Sequence, residues 1–321
     1  MKDLLEKIDA SLTELTLGNH PQNLYDPIRY ILSLGGKRLR PMLVLLGYGL
    51  KSEDVEEVIS PALTVEIFHN FTLMHDDIMD EAPIRRGKPT VHEKWNNTVA
   101  ILSGDTMMVK AYDQLLTGPH HSLPSAIKKF NKCAVEVCEG QQLDMNYEEL
   151  ETVTETQYIE MIRLKTAVLL GFSLEYGGLL AGMDEKELAQ LNAVGEKAGI
   201  GFQLMDDLLD VYGDKAKFGK QVGGDIVSNK KTYLLIKALE LANGSQRKEL
   251  NKWLSATDFD ISEKVSAIKN IYEQLNIFEL TKQKMNSYYD EAFGLLDEMD
   301  VRDEGKQQLV DFLTRLMKRE R

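Results

Sequence analysis

All eight prolines of this 321-residue chain, at positions 21, 27, 41, 61, 83, 89, 119 and 124, fall within its first 124 residues, leaving 197 without one. Proline removes a backbone donor and clashes with a helix interior, so the tail has no strong breaker except glycine. It is predicted to be nearly all helix. Apolar spacing agrees: Val55, Ile59, Leu63, Ile67 and Phe68 recur at helical steps, as do Leu188, Leu191, Val194, Ala198, Phe202 and Met205. Convincing two-residue alternation is absent, and no sheet of consequence is expected. Breaks are read at Asn19 to Pro21, Gly35-Gly36, Lys51 to Asp54, Pro83 to Pro89, Gly118 to Pro124, Gly182 to Asp184, Gly213 to Asp225 and Asn243 to Gln246. No low-complexity linker separates these helices, so the economical reading is a single all-α domain over 1–321.

Composition narrows the function classes. With 43% hydrophobic and 28% charged residues the chain reads as soluble and globular, and a net charge of −13 disfavours nucleic acid as a partner. The longest apolar stretches, such as Pro41 to Leu50, are too short to span a membrane. Cys133 and Cys138 are five residues apart on a predicted helix and point to different sides, a geometry that disfavours a disulfide. A reducing compartment, the cytoplasm, is the expected location.

Chemistry concentrates first in the run from His69 to Asp80. Asp76 and Asp80 lie one helical turn apart, with Asp77 beside them, among Phe71, Leu73, Met74, Ile78 and Met79. Like charges so placed repel, and a divalent cation relieves the repulsion. Alone, such a cluster is equally well a solvated helix end. The spacing then repeats 130 residues later at Asp206, Asp207 and Asp210, again within apolar sequence. Carboxylates on two facing helices of a bundle make an acidic interior site, and hard oxygen donors with room for water and phosphate suit Mg²⁺ better than zinc.

Carboxylates that hold Mg²⁺ usually hold it for a polyphosphate, which directs attention to cations. Gly35-Gly36-Lys37-Arg38-Leu39-Arg40-Pro41 sets three cationic side chains after a glycine turn, and Arg85-Arg86-Gly87 follows the first acidic motif. Each cluster alone reads as ordinary surface bases or as a bidentate phosphate site; two acidic motifs in a net acidic chain favour phosphate.

With these residues in place the sequence resembles the trans-isoprenyl diphosphate synthases, the polyprenyl synthetase family. GGKRLRP, HDDIMD, IRRG, Lys165-Thr166, GFQLMDDLLD, Lys220 and Lys230 stand in that family's order, from about residue 25 to 235. The resemblance implies an all-α isoprenoid synthase fold, a large helical bundle around a deep central cavity. It implies condensation of isopentenyl diphosphate with an allylic diphosphate, head to tail and trans, with three Mg²⁺ ions. Asp76, Asp80, Asp206 and Asp210 are the implied metal ligands, with Asp77 and Asp207 as supporting acids. Gly36, Lys37, Arg40, His69 and Arg86 match the isopentenyl diphosphate pocket. Arg85, Lys165, Thr166, Gln203, Lys220 and Lys230 match the allylic side. The family is usually homodimeric, and the segment from Val91 to Leu115 with its neighbouring helices is the candidate interface.

The residue types suit those roles. Basic groups stabilise a departing diphosphate, and Gln203, four residues before Asp207, is placed to turn its amide oxygen to an allylic cation, as is the Thr166 hydroxyl or the Lys165 carbonyl. His69 lies two turns before Asp76, near the same face. His75 is left out, because the resemblance implies that the released diphosphate takes the final proton. Phe71 and Thr72, just before the first motif, lie where a growing tail must pass; in the family a bulky residue at the position of Phe71 shortens the product. The expected product is geranylgeranyl diphosphate (C20), with farnesyl and longer-chain products as alternatives. A terpene cyclase lacks the second diphosphate pocket that GGKRLRP and His69 imply, and accessory subunits tend to lose an acidic motif that is intact here. The loop from Phe218 to Lys230, with Gly219, Gly223 and Gly224, permits closure on substrate.

Overall fold

A computed structural model describes residues 1–213 and 223–318. Lys220 lies outside the described residues, as do Phe218 and Gly219 of the loop considered above. The described chain is helical apart from one minimal hairpin, β1 (Ile84–Arg85) paired antiparallel with β2 (Lys88–Pro89), in line with the all-α expectation.

The chain divides into two compact units. The first comprises Met1–Cys133, Leu169–Gly195 and Glu298–Leu309. It holds α1 (Lys2–Thr13), α2 (Gln22–Ser33), α3 (Leu39–Gly49), α4 (Ile59–Met79), the hairpin, α5 (Val91–Lys94) and α6 (Asn97–Leu115). Pro41 and Pro61 stand in the first turns of α3 and α4, where a missing N–H costs no intrahelical bond. α3 is buried at every position from Pro41 to Gly49, so it is the centre of its unit. α4 packs on α6, α3, α1 and α2. Its middle, Pro61 to Phe68, is buried without interruption, and its C-terminal turns alternate buried and accessible positions.

The second unit comprises Ala134–Val168, Glu196–Asp297 and Val310–Arg321. Its first segment is the later part of α7 (Leu123–Glu149), then α8 (Glu155–Ile162) and a π-helical turn, Arg163–Ala167, that leads into α9 (Val168–Leu180). The later part of α10 (Glu185–Tyr212) follows, then α11 (Gly224–Val227) and further helices at Tyr233–Leu241, Gly244–Ser255, Ile261–Gln274 and Ile277–Asp297. Leu208, Val211, Ile226, Leu234, Ile268, Ile271 and Ile277 form its core.

Side-chain caps mark some of the helix starts. Asp184 accepts from the backbone of Lys186 and Glu187 at 2.9 Å, and Glu187 returns a bond to the Asp184 N–H at 3.0 Å, so both kinds of orphan donor at the head of α10 are satisfied. Thr154 and Gln157 form the same reciprocal box at the head of α8. The tail breaks more often than its glycines signal: near 150–154, 256–260 and 298–302 the chain leaves helix with neither proline nor glycine.

Candidate active site

In the first unit, the Gly35-Gly36 turn leads to Arg38, which adopts φ 48° immediately before α3. Arg38 is turned inward. Its guanidinium donates to Asp9 at 2.8 Å, to Glu66 at 2.5 Å and to the Leu32 carbonyl at 3.1 Å. Removing one partner of such a buried pair costs about 3–5 kcal/mol, so Arg38 anchors the turn. Lys37 is exposed and Arg40 half-buried.

The hairpin brings the second cation pair. Arg86 and Gly87 form its two-residue loop with φ 52° and 74°, the left-handed geometry that matches strand twist. Arg86 Nη1 donates to the Gly35 carbonyl, and a Cβ at Gly36 would stand 3.0 Å from the Arg86 guanidinium. Gly36 therefore lets the two cationic segments meet. His69, partly buried on α4, senses all of them: burial first, then the charges of Arg40, Arg86, Arg85 and Arg38, hold its imidazole well below the ordinary range. It is neutral at pH 7.

At the end of α4 the three acids separate into two kinds. Asp77 is 1% exposed and clasped by Arg85, whose Nε lies 2.9 and 2.8 Å from its two oxygens. Asp76 is half-buried and Asp80 exposed at the helix end, one turn on. Thr72 gives its hydroxyl to the His69 carbonyl at 2.8 Å, within its own helix. Phe71 meets the His75 ring edge-on at 4.8 Å and Phe68 at 5.7 Å. An aromatic row continues from Phe68 through Phe130 and Phe172 to Tyr176.

The second unit repeats the division. Asp207 is 3% exposed; Tyr158 donates its hydroxyl to one carboxylate oxygen and Gln203 donates its amide to the other at 3.2 Å. Burial, then the Asp225 charge, push the Asp207 carboxyl up to about 8 against those two hydrogen bonds. Thr166 donates to Gln203 Oε1 at 3.3 Å, so these two predicted residues do meet. Asp206 and Asp210 are only partly buried, and Asp210 accepts the Asp225 N–H at 3.0 Å. In both motifs the middle acid is thus a fixed interior group and the outer two reach accessible positions.

These residues line a cleft of about 360 Å³ within the second unit, shared by Lys165, Thr166, Gln203, Asp206, Asp210, Lys230 and Asp144. Sequence reasoning missed Asp144. Its carboxylate accepts from Lys165 at 2.6 Å and Lys230 at 3.4 Å. Burial works to raise its pKa, but Lys230 and Lys165 outweigh burial and hold it below the ordinary value. Lys165 and Thr166 reach the cleft from the π turn, where Val168 N donates to Arg163 O, five residues back.

Among the described residues no three acidic, imidazole or thiolate groups gather as a metal cage. The outer acids instead offer a pair of carboxylates in each motif. Such a donor set suits a hard cation that keeps several ligand positions for water and phosphate oxygens.

Residues 21–275 match the polyprenyl synthetase family. The chain is 43% identical over 242 residues, 75% of its length and 76% of the relative's, to a geranylgeranyl pyrophosphate synthase of Geoglobus acetivorans. It is 40% identical over 272 residues to a short chain isoprenyl diphosphate synthase of Methanocaldococcus jannaschii, covering 84% and 82% of the two chains. A crystal structure of a geranylgeranyl pyrophosphate synthase superposes with a TM-score of 0.94 at 42% identity, covering 99% of this chain and 98% of the other.

Proposed function

The chain belongs to the polyprenyl synthetase family, with the all-α isoprenoid synthase fold, and from that premise we propose how its residues divide the work and which product it releases. It is an isoprenyl diphosphate synthase, a trans-prenyltransferase. We assign isopentenyl diphosphate to Lys37, Arg40, His69 and Arg86, beside the Gly36 turn, and the allylic diphosphate to Lys165, Lys220 and Lys230. The observation that carries the assignment is that each accessible acid pair is accompanied, within its own unit, by cations already held in place: Arg86 on the Gly35 carbonyl, and Lys165 and Lys230 on Asp144.

The family uses a divalent metal, and we propose three Mg²⁺ ions when substrate is bound. Asp76, Asp80, Asp206 and Asp210 would hold them. When bound, Mg²⁺ neutralises charge on the diphosphates. Lys165 and Lys230 stabilise the charge that grows on the departing diphosphate as the allylic carbon–oxygen bond breaks. Thr166 and Gln203 present oxygens beside the carbon that becomes cationic, and Asp207, fixed by Tyr158, sets the Gln203 amide orientation by accepting its N–H. His69, kept neutral among arginines, donates a hydrogen bond to diphosphate without adding positive charge. The isopentenyl double bond attacks the allylic carbon, and the departing diphosphate takes the proton then lost.

Phe71 supports a C20 product, because its ring is propped by His75 and backed by the aromatic row. We further propose a homodimer, supported by the exposed apolar side chains Ile101, Leu102 and Val109 on α6. Cytoplasmic residence is supported by Cys133 and Cys138, neither of which is in a disulfide, and among the described residues no helix is long and apolar enough to cross a membrane.

The test is incubation with isopentenyl diphosphate and each allylic starter, with and without chelator, followed by mass measurement of the dephosphorylated products. Asp76→Ala and Asp206→Ala are each expected to lower kcat by at least about a hundredfold. Full activity in either variant overturns the two-motif assignment, and a C15 or C25 main product overturns the product assignment.

A further inference from the structure

Lys264, on the Ile261–Gln274 helix, is 0% exposed and does not line the cleft. A buried ammonium is costly unless its donors are met, and here the groups that meet them all belong to one neighbourhood. Nζ donates to the Val227 carbonyl at 3.1 Å and to Asn229 Oδ1 at 2.7 Å, and lies 4.2 Å from the Phe259 ring centre. Val227 ends α11, where unsatisfied carbonyls favour a cation. Asn229 is the residue before Lys230. It holds φ 56°, a conformation asparagine tolerates better than most residues, and its Nδ2 donates to the Leu254 carbonyl at 3.1 Å.

The other end of this segment is also fixed, since Asp210 accepts from the Asp225 N–H and the Lys230 N–H donates to the Asp225 carbonyl at 2.8 Å. Between Asp225 and Lys230 the chain direction turns at Asn229. The bond from Lys264 is what holds the Asn229 side-chain oxygen at that turn.

We propose that Lys264 is a positioning residue for the prenyl transfer: by binding the Val227 carbonyl and the Asn229 side chain, it aims Lys230 towards Asp144 and the allylic diphosphate. This rests on the assignment of Lys230 to the allylic side. A lysine outside the cleft thereby shapes one inside it through the backbone that joins Asn229 to Lys230.

The experiment is a double-mutant cycle of Lys264→Met, which keeps the chain length and removes the donors, with Lys230→Ala. Steady-state constants are measured separately for the allylic and isopentenyl substrates, with thermal unfolding as a fold control. Misplacing a binding group by about 1 Å costs up to about a hundredfold, so Lys264→Met is expected to lower kcat/KM for the allylic diphosphate by roughly tenfold. KM for isopentenyl diphosphate should change less than about twofold. In the Lys230→Ala background, Lys264→Met should cost nothing further, because residues acting through one another are not additive. Unchanged allylic kinetics in folded Lys264→Met, or an equal loss in both backgrounds, overturns the proposal. Wild-type allylic kinetics in Lys230→Ala overturns the Lys230 assignment instead. If Lys264→Met does not fold, Asn229→Gly, which keeps the backbone conformation and deletes the acceptor, is expected to give the same allylic-selective loss, and its absence is equally decisive.

Discussion

Gly140 is the position where one added methyl group should separate activity from stability. It lies on α7 against the π turn, and a Cβ there would stand 2.2 Å from Lys165 N and 2.6 Å from both Lys165 Cα and the Leu164 carbonyl carbon. All three are backbone atoms, so no side chain can swing aside. Reaching ordinary contact near 3.4 Å requires a shift of roughly 1.2 Å between α7 and the turn. Alanine gains about 1 kcal/mol of helix propensity over glycine, while overpacking costs about 1–3 kcal/mol. With the upper overpacking figure the net loss is about 2 kcal/mol, a fall in Tm of a few degrees. The same shift moves Lys165 away from its 2.6 Å contact with Asp144 and Thr166 from Gln203, and about 1 Å of misplacement costs up to a hundredfold. Gly140→Ala should therefore lower kcat by about ten- to a hundredfold in a protein that unfolds only slightly earlier. Incorporation of labelled isopentenyl diphosphate, paired with calorimetry, measures both quantities. A folded Gly140→Ala enzyme with kcat within about twofold of the parent would refute the claim that the crossing sets the geometry of Lys165.

Arg40→Ala should raise KM for isopentenyl diphosphate more than KM for the allylic partner, since a lost phosphate contact acts where it was made; equal effects would contradict separate pockets. Phe71→Ala should lengthen the product while leaving metal dependence intact, read by mass measurement. If Phe71 only packs against its neighbours, the variant instead loses about 3–5 kcal/mol of stability with the same product. His69 should give the protein a pH-dependent stability. Its folded pKa lies well below the ordinary 6.5, so the unfolded chain binds a proton that the folded one refuses. Stability is then full above about pH 6.5 and falls as the pH drops below it, until the folded pKa is reached. His69→Gln should flatten that limb of the Tm-versus-pH curve, and an unchanged curve would exclude His69 as its source.

Helical periodicity was enough to pair Asp76 with Asp80 and Asp206 with Asp210, because positions four apart share a face whatever surrounds them. It gave no hint that Asp77 and Asp207 turn inward. That depends on Arg85, delivered by a hairpin, and on Tyr158, 49 residues away in sequence. Asp144 was legible in principle: Phe130, Cys133, Val137, Gly140 and Asp144 follow one buried stripe of α7, and a carboxylate in an apolar stripe requires a cation. Lys264 stands likewise in line with Ile268 and Ile271. The breaks before α8 and before Ile261 carried capping signals, Thr154 with Gln157 and Asp260 beneath the Glu263 N–H, which a reading based on proline and glycine passes over. The π turn has no comparable mark, since Arg163 to Ala167 would serve as well in an ordinary helix.

That turn bonds groups five residues apart where an α-helix bonds groups four apart. The extra residue is absorbed locally, and shortening 163–167 by one is expected to restore a regular helix rather than break one. Such a deletion should yield a chain that still forms α8 but withdraws the Lys165 amine and the Thr166 hydroxyl from the cleft. Loss of catalysis in a distant homologue can thus be written in its length, with both aspartate motifs and both lysines still in place.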